Sequence, residues 1–217
     1  MTFKSGINIV KHHYTYKQSD GVGYAFYIPY LLTPALRWAN HQIDDFTLRI
    51  TAPSTAKNFL VKSEAFMKSE FHVTEGVGKI RKSPKLNKYH EEGEYFEISL
   101  RDGSVEWHSD NYRPKAELEI YSGEVIIWSL VDDYYKGAFL YDRTIPYPLD
   151  VHDLSSKQRR VLRNAPYANR GYVFKNKELQ DYFNSVWWYM PDPDWVASDE
   201  DFTSQEKALI ESIVRSE

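Results

Sequence analysis

The sequence predicts an α+β protein: an antiparallel β-sandwich or barrel-like domain followed by a small C-terminal module of three helices. Three observations carry this reading. Before residue 150, short β-branched and aromatic runs recur between turn residues, several of them alternating in period two. After it come three segments that open on helix-capping signatures and continue as apolar stripes. Between the two lies Arg143-Thr144-Ile145-Pro146-Tyr147-Pro148-Leu149, a linker candidate whose prolines cannot continue a strand. The expected division is therefore a β-rich domain over 1–149 and a helical domain over 150–217.

The expected strands are Ile7 to Val10, Tyr24 to Ile28, Phe46 to Ile50, Tyr95 to Leu100, Ala116 to Tyr121 and Val125 to Val131. In the segment from Glu117 to Tyr121, Leu118 and Ile120 share one face, while Glu117, Glu119 and Tyr121 share the other. Ser122-Gly123 before Glu124 to Trp128 reads as a hairpin, and Asp102-Gly103 between Leu100 and Val105 reads as another. Two stretches interrupt the pattern. Pro29 to Pro34 is a proline-bracketed loop leading to Trp38, and the basic run Lys79 to Lys88, which contains Pro84, is expected to be an exposed loop.

In the C-terminal part, Ser155-Ser156-Lys157-Gln158 has the form of a capping box, with Val161 and Leu162 following as apolar positions. Gly171 is placed to terminate that helix. Asn176 caps a second, where Leu179, Tyr182, Phe183 and Val186 recur at helical spacing. Thr203-Ser204-Gln205-Glu206 opens a third, striped by Leu209, Ile210, Ile213 and Val214.

Composition narrows the function classes. The 217 residues carry 31 acidic and 27 basic side chains, a net charge of −4 divided evenly between the two parts. That balance argues against nucleic acid as a partner. With no cysteine, disulfides, thiolate-ligated metals and thiol catalysis are excluded. No apolar run approaches the length of a membrane span.

Catalytic signatures fail one by one. Gly76-Val77-Gly78-Lys79 lacks the first glycine and the Ser or Thr of a phosphate loop, and Gly21-Val22-Gly23 lacks the third glycine of a dinucleotide fingerprint. The adjacent histidines His12 and His13 point to opposite faces of a strand, and no His-Glu-x-x-His occurs. The carboxylate pairs Asp44-Asp45, Glu91-Glu92 and Asp132-Asp133 diverge in the same way. The run from Asp192 to Asp201 has Val196 where a calcium loop needs a ligand, so it reads as a solvated acidic loop. No catalytic residue, cofactor or metal site is expected.

The unusual number is the aromatic content, 16% of the chain. Trp187, Trp188, Tyr189 and Trp195 crowd one short stretch, Tyr134 and Tyr135 lie beside Asp132-Asp133, and Tyr27-Ile28-Pro29-Tyr30 is a similar candidate on the β part. Two roles are open to them: packing for a module with few other large apolar groups, or an exposed stacking platform for a protein or glycan.

The run Leu162-Arg163-Asn164-Ala165-Pro166-Tyr167-Ala168-Asn169-Arg170-Gly171-Tyr172-Val173-Phe174 resembles the bacterial YARHG domain, named for its Tyr-Ala-Arg-His-Gly motif. The similarity continues through Leu179, Tyr182-Phe183, Trp188-Tyr189 and the final helix, about residues 152–215. Asn164, Tyr167, Ala168, Asn169, Arg170, Gly171 and Phe174 are its motif positions here. Asn169 and Arg170 stand where the family has Arg and His, so a role for that histidine is absent. The N-terminal part resembles, by pattern alone, the second half of a bacterial β-rich domain of unknown function found upstream of such modules. This implies a chain that begins inside a longer precursor. The resemblance implies an extracytoplasmic setting, periplasmic or secreted, in a family with no established enzymatic activity. The function expected is thus a non-enzymatic, envelope-associated or secreted binding or structural protein, with a protein or cell-envelope glycan as partner and no membrane span. The alternative is a glycan- or peptide-directed hydrolase with a dispersed acidic/His site on the β domain.

Overall fold

The computed structural model describes residues 13, 15, 19–21, 24–52, 57–67, 69–83, 93–122 and 154–216. The strands expected at Ile7 to Val10 and Val125 to Val131, the linker and the boundary at 149/150 lie outside the described residues, as do Tyr134 and Tyr135.

Among the described residues, seven strands form one antiparallel half-barrel sheet: β1 (Ser19–Gly21), β2 (Tyr24–Tyr30), β3 (Ile43–Ala52), β4 (Lys57–Lys62), β5 (His72–Ser83), β6 (Tyr95–Tyr112) and β7 (Leu118–Ser122). The order is β1-β2-β7-β4-β6-β3, with β5 also on β6. The spine is β6, an 18-residue strand with three partners. Residues Tyr95 to Leu100 pair with both β4 and β5, and Gly103 to Tyr112 pair with β3. One edge of β6 therefore belongs to β5, while the other is handed from β4 to β3.

The handover falls at Asp102-Gly103, which corrects the hairpin expected there. The strand runs straight through, and the positive-φ chemistry of an Asp-Gly pair serves a bulge instead of a turn. Asp102 has φ +45° and the facing Gly76 has φ +69°. The β5 register slips between Val73 and Glu75 and again between Glu75 and Val77. Both glycines are required by backbone approach: a Cβ on Gly103 would stand 2.0 Å from the Glu75 carbonyl oxygen, and one on Gly76 2.0 Å from that of Asp102. The extra residue also flips the inward set of β6 from Phe96, Ile98 and Leu100 to Val105 and Trp107.

A second correction concerns the basic run. Lys79 to Ser83 is the end of β5, paired with Ser99 to Tyr95, and not a loop; residues 84–88 lie outside the described residues. Strand pairing here neutralises charge locally, since Arg81 Nε lies 2.6 Å from Glu97 Oε2. β4 and β5 carry few signals that a periodicity count would detect, because lysines and glycines break both alternations.

One face of the sheet buries Phe59, Val61, Ile98, Leu100, Trp107 and Ile120, joined by Phe66 and Phe71 from the β4–β5 connection. Phe66 and Trp107 meet edge-on with ring centres 5.1 Å apart, a geometry that adds to simple burial.

The helical part is α1 (Ser156–Asn169), α2 (Lys177–Asn184) and α3 (Ser204–Ser216). All three start signals act as the sequence implies. Gln158 N donates to Ser155 Oγ while Ser155 N donates to Gln158 Oε1. Leu179 N donates to Asn176 Oδ1, and Thr203 and Glu206 bond reciprocally. At the end of α1, Tyr172 N donates to the Tyr167 carbonyl and Gly171 N to that of Ala168, with Gly171 at φ +90°. This is a Schellman motif. Leu162, Phe174, Phe183, Trp188 and Ile213 fill the module's own core.

Because the Gly76–Gly103 approach leaves no room for a methyl group, Gly103→Ala is expected to destabilise the fold by roughly 2–4 kcal/mol. The check is a lowered urea midpoint at unchanged slope.

Candidate functional site

The face of β6 opposite the core carries Tyr95, Glu97, Ser99 and Arg101, and beside it β5 presents Lys79 and Arg81. The helical module docks here, and Arg101 is the joint. Its side chain, only 7% exposed, donates from Nη1 to the Arg170 carbonyl at 2.8 Å and to Asp192 Oδ2 at 3.1 Å. From Nη2 it donates to the Met190 carbonyl at 3.2 Å. A planar guanidinium can reach three acceptors in one plane, which a lysine cannot. Gly171 makes room for it: a Cβ there would lie 3.0 Å from Arg101 Cζ and 2.8 Å from the Met190 oxygen. Lys79 adds a second tie by donating from Nζ to the Tyr189 carbonyl at 2.8 Å, and burial lowers its pKa.

Asp192 was expected in a solvated acidic loop and is instead the anionic partner of Arg101. The hydrogen bond from Arg101 holds its carboxyl below the ordinary aspartate value, against the opposing effect of burial. Asp199 to Asp201 form a short 3-10 turn farther along the same segment.

The aromatic candidates divide. Trp188 and Tyr189 are buried in the module core. The Tyr189 hydroxyl donates to the Tyr172 carbonyl at 2.7 Å, and burial pushes its pKa up to about 12 despite the counter-effect of Arg101. Trp187 is half-buried beneath the Arg81 guanidinium, 4.3 Å from the ring centre, where it helps to seat the module on the sheet. Trp195 is half-buried, edge-on to Tyr172 and Phe202.

The motif positions are structural. Ala168 and Asn169 are buried, Asn164 Nδ2 donates to the Arg160 carbonyl at 2.7 Å, and Phe174 stacks on Phe183 at 4.7 Å. Tyr167 packs on Tyr172 and Phe202. Arg170 is buried and reaches both oxygens of Glu206 at 2.9 Å, with further bonds to the carbonyls of Pro166 and Asp201. Its guanidinium lies 4.7 Å from the ring centre of Phe202. This pair ties the end of α1 to the start of α3.

The exposed apolar surface lies elsewhere, on the proline-bracketed stretch that begins at the aromatic candidate Tyr30. Tyr30, Leu31, Leu36 and Trp38 are 55%, 69%, 39% and 54% exposed. They lie on and around a 3-10 turn, Thr33–Arg37, in which Ala35 is buried, as is Leu32 just ahead of it. Glu117, just ahead of β7, fixes the turn by accepting from the amides of Leu32 and Thr33 and from the Thr33 hydroxyl. Burial raises the Glu117 pKa, but these three bonds outweigh it and hold the carboxyl below its ordinary value. The available signal was four large apolar residues around Pro34 with no polar alternation to turn them inward.

An antiparallel half-barrel with a helical module locked to its outer face defines the class of protein. Residues 140–217 match the family model of the YARHG domain, as the run from Leu162 to Phe174 implies. No curated protein matches the chain. Among solved structures, it is similar to a candidate nutrient-binding protein of Legionella pneumophila, at 23% identity and a TM-score of 0.42, over 90% of this chain and 53% of that one. The chain thus spans about half the length of that protein.

Replacing Arg101 with Met leaves Asp192 and two carbonyls without their donor and is expected to destabilise the protein by about 2–4 kcal/mol. Near-ultraviolet circular dichroism should report loosened tryptophans. Because the Asp192 pKa is depressed in the folded state, its contribution holds above the ordinary aspartate value. It is lost as pH falls through the folded value. Asp192→Asn should therefore flatten the acid limb of a stability-against-pH curve, read from unfolding midpoints.

Proposed function

We propose that the protein is a non-enzymatic binding or structural protein acting outside the bacterial cytoplasm, periplasmic or secreted, with a cell-envelope glycan or a protein as its partner. The observation that carries the reading is the exposed turn bearing Tyr30, Leu31, Leu36 and Trp38. Apolar groups held outward by an anchored turn cost solvation and give the fold nothing, which is the mark of an interaction surface. Tyr and Trp on a rigid support suit the faces of sugar rings and the side chains of a protein partner alike.

The extracytoplasmic setting is supported by the YARHG match over residues 140–217. None of the described helices is long and apolar enough to cross a membrane. The binding reading is favoured over a hydrolase by what the carboxylates of the sheet do. Glu97 and Glu106 pair with Arg81 and Arg49. Glu119 accepts from Tyr27 and Tyr121 and pairs with Lys62, while Glu117 caps the turn. Each of these four is engaged in holding strands or the turn in place, whereas glycoside hydrolysis needs two carboxyl groups opposed across a cleft.

Titration of soluble peptidoglycan glycan strands and of immobilised envelope proteins tests the proposal. Wild type should bind one of the two, and Trp38→Ala should weaken that binding about tenfold while changing stability by less than about 0.5 kcal/mol. Equal binding by the variant would remove the turn from the interface, and turnover of the glycan strands would favour the hydrolase.

A further inference from the structure

We propose that the protein binds a divalent transition-metal ion of the zinc class through Asp45, His108 and Asp110, on the exposed face of the β3–β6 ladder. This goes beyond the binding role proposed above and does not depend on it.

Placement comes first. Asp45 on β3 is the direct cross-strand partner of Asp110 on β6, and His108 is paired with Thr47 two residues along the same ladder. Side chains two residues apart on a strand share a face, so His108 and Asp110 lie side by side with Asp45 across from them. His108 Nε2 is 3.0 Å from Asp45 Oδ1 and 3.7 Å from Asp110 Oδ1. One donor atom from each of the three residues falls within 4.8 Å of the others. Three donors on two hydrogen-bonded strands are held by backbone pairing, unlike donors scattered on loops.

Electrostatics supplies an independent argument. Like charges directly opposite on neighbouring strands destabilise a sheet. Elsewhere on β6 such carboxylates have a fixed cation: Glu97 has Arg81, and Glu106 has Arg49. Asp45 and Asp110 face one another with no lysine or arginine among the described residues. The group between them is the imidazole of His108. A bound dication would satisfy both carboxylates at once, and the nearby amides of Asn40 and Gln42 do not compete, since they are turned to Asp44.

The donor set selects the ion. One imidazole nitrogen with two carboxylate oxygens suits Zn²⁺ or its neighbours, whereas Ca²⁺ and Mg²⁺ prefer all-oxygen sites. Three protein ligands leave at least one coordination position for water or for a donor atom of a bound partner. Coordination would replace the His108–Asp45 hydrogen bond, with Nε2 turning from carboxylate to metal.

The test is titration of the full chain, stripped of metal with a chelator, by Zn²⁺ against a chromophoric competitor. Absorbance of the Co²⁺ form serves as a second readout. Wild type should take up a single ion, and His108→Ala and Asp110→Asn should each weaken it tenfold or more. His72→Ala, which alters an exposed histidine on β5, should change nothing. The three positions are exposed, so loss of folding is not expected, and far-ultraviolet circular dichroism checks it. Failure of wild type to outcompete a weak chelator would overturn the site. So would undiminished binding by His108→Ala, or Ca²⁺ competing as well as Zn²⁺. None of these outcomes bears on Trp38, so the binding role stands or falls separately.

Discussion

The constraint on which the rest of the structure depends is the burial of the Arg101 guanidinium between the sheet and the helical module. An arginine side chain that is 7% exposed must find acceptors for its donors, because an unpaired buried charge costs several kcal/mol. The acceptors come from two separate places in the helical module: the carbonyl at the end of α1 and, beyond α2, Met190 and Asp192. Those groups converge only when the chain reverses after α1 and the 190–192 segment lies alongside it. Asp192 N donates to the Gly171 carbonyl at 2.7 Å, which draws the two segments together. The module's internal turn and its docking are thus satisfied by the same geometry.

Arg170 performs a comparable task inside the module. Its side chain points toward α3 and Glu206, while its carbonyl points toward Arg101. Glu206 in turn completes the capping box that starts α3. A chain of contacts therefore runs from β6 through the end of α1 to the start of α3. The Pro166 carbonyl, near the end of α1, accepts from Arg170 Nη1 and so belongs to the same chain of contacts. A histidine at position 170 would have too few donors to bind Glu206, Pro166 and Asp201 together. This explains physically how the module holds together with Arg where the family motif has His.

Local chemistry was legible in the sequence wherever it acts on neighbours in the chain. Ser155, Asn176 and Thr203 cap their helices because caps need only three or four residues, and Gly171 ends α1 for the same reason. The α+β class followed from the change of periodicity near residue 150. What the sequence does not display is pairing at long range. Asp102-Gly103 has identical local chemistry in a hairpin and in a bulge, and only the presence of Gly76 opposite decides between them. Asp192 looked solvated because its cation lies 91 positions away. Trp187, Trp188 and Tyr189 are open in the sequence to core packing or to a surface, and the strand end carrying Lys79 and Arg81 determines that they face inward or toward the sheet. Beyond the candidate Tyr30, the exposed turn at Leu31 to Trp38 was hidden for the opposite reason: apolar composition argues for burial, and the anchoring by Glu117 keeps these groups out.

The bulge joins these observations. On an unbroken strand Arg101 and Trp107, six residues apart, would face the same side. Arg101 must face the helical module and Trp107 must enter the core beside Phe66. The extra residue at Asp102-Gly103 reconciles the two by exchanging the faces halfway along β6. The same exchange turns His108 and Asp110 outward, where they meet Asp45, and it occurs where β6 passes from β4 to β3. Removing that one residue would do more than shorten a strand. It would turn Trp107 to solvent, bury His108 and Asp110 together, and leave the sheet unable to hold both its core and its docked module.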